Sequence, residues 1–212
     1  MSGQKMMETV DHRSVGIPPK VILIGGSPMT GKSTLAAALS AKLGWQYVST
    51  DDIGEIIQTA LGIDPMRGVN YLDYYANTDK SALVEDILAY HLRIQPAVSR
   101  LTEINSAWGG PLIIEGWALY PEYVKNIGQK KARALWLVAE GDLLERRLRD
   151  NPGFYESAGE PEKVIENYLY RSEWHNGLIL KQCEETKAQF IKVNGSEAEE
   201  KLLEIVWGKL NI

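Results

Sequence analysis

The sequence predicts an α/β fold: a five-stranded parallel sheet with helices on both faces and a helical lid. Three observations predict it. The run VILIGG at 21–26 is apolar, β-branched and unalternating, as in a strand buried on both faces. A helical pattern, STLAAALSAKLG at 33–44, follows after one short turn containing glycine. Short apolar runs then alternate with helical patterns to the end of the chain, the signature of right-handed crossover units whose ligands sit at the strands' carboxyl ends.

The elements follow in order. Residues 1–18 are polar and lack any helical or strand period, so they are expected to form a flexible leader, leaving 19–212 as a single domain. In the first helix Leu35, Leu39 and Leu43 recur at i, i+4 and i+8, and Gly44 ends it. WQYVST at 45–50 is the second strand, and DDIGEIIQTALG after it is a helix with acids at its positive end. The Gly-, Pro- and Tyr-rich stretch at 62–78 reads as a loop. A helix starts near Thr78 and Asp79, and Pro96 is expected to kink or divide it before AVSRLTEINSAW. GGPLIIEG, ARALWLVAE and QFIKVNG supply the third, fourth and fifth strands, and SEAEEKLLEIVWGKL is the closing amphipathic helix. The stretch at about 52–108 is expected to form an acceptor-binding insertion. Residues at about 143–180 are charged and interrupted at Asn151, Pro152, Gly153, Gly159 and Pro161, the composition of a lid made of two helices hinged by a loop.

Composition excludes several classes. With 44% hydrophobic and 24% charged residues over 212 positions, the chain has globular composition. No stretch approaches the roughly 20 apolar residues of a membrane helix, and no apolar run marks a signal sequence, so a cytoplasmic protein with no membrane partner is expected. Cys183 is single, and His12, His91 and His175 lack zinc-ligand spacing. A net charge of -5 gives no general attraction for nucleic acid.

Gly26-Ser27-Pro28-Met29-Thr30-Gly31-Lys32-Ser33 matches G-x-x-x-x-G-K-[ST] at every fixed position, between a strand and a helix. In that context the glycines let the backbone curl, its N–H groups converge on a phosphate, and the helix N-terminus adds positive charge. Lys32 can reach the β- and γ-phosphates, Ser33 can offer its hydroxyl to Mg²⁺, and Thr34 can add a phosphate contact. The alternative is a glycine-rich turn that only joins strand to helix. A guanine-specific N-K-x-D motif is absent, which favours ATP. Asn194 could touch adenine; equally, Ser196 with Glu199 three residues on could cap the last helix.

Phosphoryl transfer to a hydroxyl needs a carboxylate at the acceptor and another at Mg²⁺ or its waters. Asp51 and Asp52 follow the second strand and Glu115 ends the third, on the sheet edge that carries the glycine loop. Asp51 is read as general base and acceptor ligand, with Asp52 beside it; one of the pair could instead cap a helix. Glu115 fits a magnesium or substrate role, or a plain ion pair. Arg146, Arg147 and Arg149 share one turn after the fourth strand, and Arg171 lies beyond the lid loop. Arg146 and Arg149 share a helix face and are the first choices to neutralise a transferring phosphoryl group, unless that turn is only a solvated surface. Tyr71, Tyr74, Tyr75 and Trp117 could line the acceptor side or pack a core. His91 and His175 are assigned no role.

These residues resemble the P-loop kinases of the nucleoside monophosphate and shikimate kinase group. GGSPMTGKST, VSTDD and IIEGWALYP are particularly similar to the 2-phosphoglycerate kinase type. The resemblance implies an ATP- and Mg²⁺-dependent transferase in which Asp51 meets the acceptor and the lid arginines follow the fourth strand. Shikimate kinases have an Asp two places before the acceptor Asp, where Ser49 stands here. The acceptor-binding Arg pattern of adenylate kinases and the signatures of deoxynucleoside kinases are absent, so a small sugar acid, phosphorylated metabolite or antibiotic is the implied acceptor. The alternatives are an ATP-binding regulatory switch with little transfer chemistry, or a toxin-like kinase acting on a nucleotide sugar.

Overall fold

In the computed structural model, which describes residues 20–64, 66, 68–127 and 131–212, β1 (Val21–Gly26) is the central strand of the sheet. The leader expected over 1–18 lies outside the described residues. β1 is flanked by β3 (Leu112–Glu115) and β4 (Arg133–Ala139), with β2 (Gln46–Ser49) and β5 (Phe190–Val193) at the edges. All four pairings are parallel, giving the order β2-β3-β1-β4-β5. The chain leaves β1 toward one edge and later crosses to the other, so the carboxyl end of β1 lies where the strand order reverses.

β1 is buried on both faces, as its unalternating sequence requires. Ile22 and Ile24 pack with Leu35 and Leu39 of α1 (Lys32–Leu43) and with Val206 and Leu210 of α8 (Glu199–Leu210). Val21 and Leu23 face the other way, onto Ile53 of α2 (Thr50–Leu61) and Ile94 and Val98 of α4 (Lys80–Ala107). On that second face Tyr120 and Trp136 meet Ile179 and Cys183 of α7 (Pro161–Thr186), beside α5 (Pro121–Lys125). Gly25 lets the Trp136 ring lie across β1, where its Nε1 donates to the Leu119 carbonyl at 2.7 Å.

Three elements differ from expectation. α4 runs unbroken for 28 residues through Pro96. Pro96 is exposed, and so is Leu92, whose carbonyl loses its helical partner, so that carbonyl faces the side where water can satisfy it. The stretch read as loop contains α3 (Tyr71–Asn77), capped by Asn70, whose side chain accepts from the Asp73 amide at 2.9 Å. α3 is held by tertiary contacts: Tyr71, Tyr75, Phe154 and Tyr168 form a chain of ring contacts to α7. α8 begins at Glu199 behind Ala198 without a side-chain cap, so Ser196 does not cap it. The Asn194 side chain instead takes the Ser196 amide and hydroxyl, forming a separate turn ahead of the helix. α6 (Leu143–Arg149), a short 3-10 turn at Pro152–Phe154 and α7 occupy the stretch read as a lid.

Candidate active site

The loop from β1 to α1 is curled, with positive φ at Gly26, Met29 and Gly31 of 132°, 63° and 95°. At Gly26 a Cβ would stand 2.2 Å from the Leu137 carbonyl oxygen, so glycine is required by space as well as by conformation. Among the described residues, Thr30 alone of positions 29–34 has a backbone amide with a partner, the Ser27 carbonyl at 3.4 Å. The other amides and the start of α1 make a concave set of donors suited to a phosphate group.

Lys32 lies across this loop. The residue is 7% exposed, and its ammonium donates to the Ser27 carbonyl at 2.6 Å, an oxygen that also accepts from the Thr30 hydroxyl at 2.8 Å. Burial lowers its pKa to about 8, partly opposed by the carboxylates of Glu115 and Asp51. Ser33, one residue on, donates from Oγ to Glu115 Oε1 at 3.1 Å. Glu115 is buried, which pushes its carboxyl upward against the pull of the Lys32 charge. Hydroxyl and carboxylate side by side are the hard oxygen donors that Mg²⁺ takes, with phosphate oxygens and water completing its shell. Among the described residues no cluster of three or more His, Cys, Asp and Glu offers a closed protein cage for a metal. Thr34 is exposed and outside the cavity that Lys32 and Ser33 open into.

That cavity, of about 560 Å³, is lined by Lys32 and Ser33 together with Asp51, Glu115, Trp117 and Arg171. Ser49, not either aspartate, caps α2, its Oγ accepting from the Asp51 amide at 3.0 Å. Asp51 is therefore left to face the cavity, where Oδ1 accepts from Trp117 Nε1 at 2.7 Å. Asp52 is exposed and does not line the cavity. Arg171, which also lines the cavity, is 7% exposed and has no ion-pair partner among the described residues. Its guanidinium lies 4.4 Å from the Trp117 ring centroid, 4.7 Å from Tyr75 and 5.2 Å from Tyr168, and its Nε is buried without a hydrogen-bond partner. An arginine caged by aromatic faces and open to a cavity is a receptor for a carboxylate or phosphate.

The lid arginines divide. Arg147 reaches the loop and donates to the Met29 carbonyl at 2.6 Å. Arg146 binds Asp142 and the Asn194 carbonyl, and so borders the loop after β5. Arg149 is turned away, held by Glu145 and Glu162. Asn194 spends its side-chain oxygen on Ser196, which leaves its amide nitrogen as the group able to meet a base.

Two site residues were missed from sequence. His175, given no role, is fully buried between the glycine loop and Trp117: Nδ1 is 2.8 Å from Ser27 Oγ and Nε2 is 2.9 Å from the Trp117 carbonyl. Arg171 was noted only as a lid cation. A signal existed for both. Val164, Tyr168, Arg171, His175, Ile179 and Cys183 repeat at three- and four-residue spacing along α7, which puts a charge and an imidazole in its buried stripe. His91 packs its ring edge-on to Trp117 at 4.6 Å and bonds the Tyr120 hydroxyl at 2.8 Å, and burial holds both histidines neutral.

No family model matches the chain. A 2-phosphoglycerate kinase of Methanococcus maripaludis is 25% identical over 200 residues, which are 88% of this chain and 64% of that protein. The chain thus spans less than two thirds of that relative's length. Among solved structures, a sugar kinase from Janibacter superposes over 92% of this chain and 96% of its own, with a TM-score of 0.55 and 19% identity. A shikimate kinase from Bacteroides thetaiotaomicron covers 91% and 98%, with a TM-score of 0.54 and 15% identity. The chain has the α/β fold of P-loop kinases. Among the described residues no helix is long and apolar enough to cross a membrane.

Proposed function

We propose that this chain is an ATP-dependent kinase that transfers the γ-phosphoryl group to a hydroxyl of a small metabolite bearing an anionic group, such as a 2-phosphoglycerate-like acid or a sugar acid. The observation that carries the reading is one cavity lined by Lys32 and Ser33 of the phosphate loop, by Asp51 and by Arg171. The loop amides and Lys32 hold the phosphate tail. Ser33 and Glu115 would hold Mg²⁺, which would supply charge neutralisation to that tail. Asp51 Oδ2, with Oδ1 occupied by Trp117, takes the proton of the acceptor hydroxyl as its oxygen attacks the γ-phosphorus, and the bond from that phosphorus to the bridging oxygen breaks to release ADP. Arg171 pairs with the acceptor's carboxylate or phosphate and so sets which hydroxyl meets Asp51. Arg147 is poised to exchange the Met29 carbonyl for a phosphate oxygen. The names of the relative and of the structural neighbours, all small-molecule kinases, support the reading.

A regulatory switch is less well supported, because Asp51 is neither buried nor consumed as a cap. Nothing favours a nucleotide-sugar acceptor over a small acid. The test is an ADP-release screen with Mg²⁺ and ATP against hydroxyl-bearing acids, including 2-phosphoglycerate, beside Lys32→Ala and Asp51→Asn. Acceptor-stimulated turnover, lost in both variants, is expected. Absence of stimulation by every acid in the panel would remove the kinase reading in favour of the switch.

A further inference from the structure

The two loops that carry the chemistry, after β1 and after β3, are joined by one buried side chain from α7. The Trp117 carbonyl can only accept, so Nε2 of His175 carries the ring proton and donates it at 2.9 Å. Nδ1 is then an acceptor, and the hydrogen between it and Ser27 Oγ, 2.8 Å away, belongs to the serine. The Ser172 carbonyl, 3.2 Å from the same Oγ, is left as a weaker contact. Ser27 is the loop residue whose carbonyl anchors Lys32 and Thr30. Trp117 is the residue whose indole holds Asp51. Its ring is braced by Arg171 on one side and the edge of His91 on another.

We infer that His175 is a positioning residue for the transfer proposed above, on which this inference rests: it sets the register between the phosphate loop, through Ser27, and the acceptor base Asp51, through Trp117. Only a few tenths of an ångström separate a hydroxyl in line with the γ-phosphorus from one out of line, and displacement by about 1 Å costs on the order of a hundredfold in rate. Ser27 and Trp117 have no covalent reason to keep a fixed separation. The imidazole gives them one, because it is a rigid spacer bonded at both ends. The same helix carries Arg171 one turn earlier, so the group that receives the acceptor's anion and the group that aligns the two loops move as one body.

The test uses the full chain and three substitutions. His175→Gln places an amide N–H where Nε2 stands and keeps the donation to Trp117; His175→Asn reaches only the Nδ1 position and loses it; Trp117→Phe keeps an aromatic ring and removes the donor to Asp51. Expected is a kcat about 10- to 100-fold lower for both Asn and Gln, because Asn cuts the bond to Trp117 and Gln the bond to Ser27, with nucleotide Kd changed less than about threefold in Asn. His175→Asn should add little further loss in the Trp117→Phe background, because both act through Asp51. Wild-type kcat in either variant, or losses that simply multiply in the double variant, would overturn the inference in favour of plain core packing. A second readout does not need turnover. The Trp117 indole N–H resonance, identified by its disappearance in Trp117→Phe, should move in Asp51→Asn and lose protection from solvent exchange in His175→Asn. An indole signal indifferent to His175→Asn contradicts the inference whatever the kinetics. An indole signal that responds as expected, in a protein no acceptor stimulates, upholds the linkage and refutes the kinase reading alone.

Discussion

Replacing Lys32 by Met is expected to stabilise the empty protein while destroying its affinity for nucleotide. Burial lowers the Lys32 ammonium to about 8 from the ordinary 10.5, so the folded chain holds its proton less tightly than the unfolded chain does. At 1.36 kcal/mol per pKa unit, that difference costs the fold about 3 kcal/mol at neutral pH. The substitution also removes the bond from Nζ to the Ser27 carbonyl and leaves Thr30 as that oxygen's remaining donor. Those losses leave a net gain of about 1–2 kcal/mol, a rise in Tm of about 2–8 °C for a domain of this size. The pH dependence identifies the cause. Between pH 8 and 10.5 the unfolded state binds more protons than the native state at this site, so wild-type stability rises with pH there and the variant's advantage shrinks. Thermal melts of both proteins at pH 7, 9 and 10.5 check it. A variant less stable than wild type at pH 7, or a gap unchanged by pH, would refute the argument from burial.

Other expectations follow from the same geometry. Arg171→Gln should raise the KM for the acceptor by about 10²-fold or more while leaving nucleotide Kd within about threefold, read by steady-state kinetics and titration, because the pair with the acceptor's anion is lost while the loop amides and Lys32 are kept. Arg147→Ala should lower kcat by at least about tenfold, and Arg149→Ala should leave it within about threefold, because only Arg147 contacts the phosphate loop. Gly26→Ala should cost more than about 3 kcal/mol in denaturant unfolding or abolish soluble expression, because the new methyl would stand 2.2 Å from a backbone oxygen at a φ of 132°.

The sheet was legible because its signals are local. VILIGG, LIIE and ALWLVA are short apolar runs bounded by turn residues, and each became a strand. The glycine loop was legible for the same reason: four fixed residues within eight positions determine its curl. α3 was not. Its one local signal is the Asn70 cap, and the helix of seven tyrosine-rich residues is held by rings from α7 about ninety positions away. Pro96 misled because a helix tolerates proline where the orphaned carbonyl faces water. Within the site, Asp51 and Glu115 were found from their addresses at strand ends. Choosing among Arg146, Arg147 and Arg149 was beyond the sequence, since the choice rests on where Glu162 and Met29 lie in space. His175 escaped because its partners Ser27 and Trp117 are 148 and 58 positions distant.

The most direct measurement is a calorimetric titration of wild type and Lys32→Ala with a non-hydrolysable ATP analogue in the presence of Mg²⁺. Saturable one-to-one binding by wild type, weakened about a hundredfold or more in the variant, is the result expected of open loop amides assisted by one ammonium group. Equal affinity in the two proteins, or no heat from wild type, would contradict it.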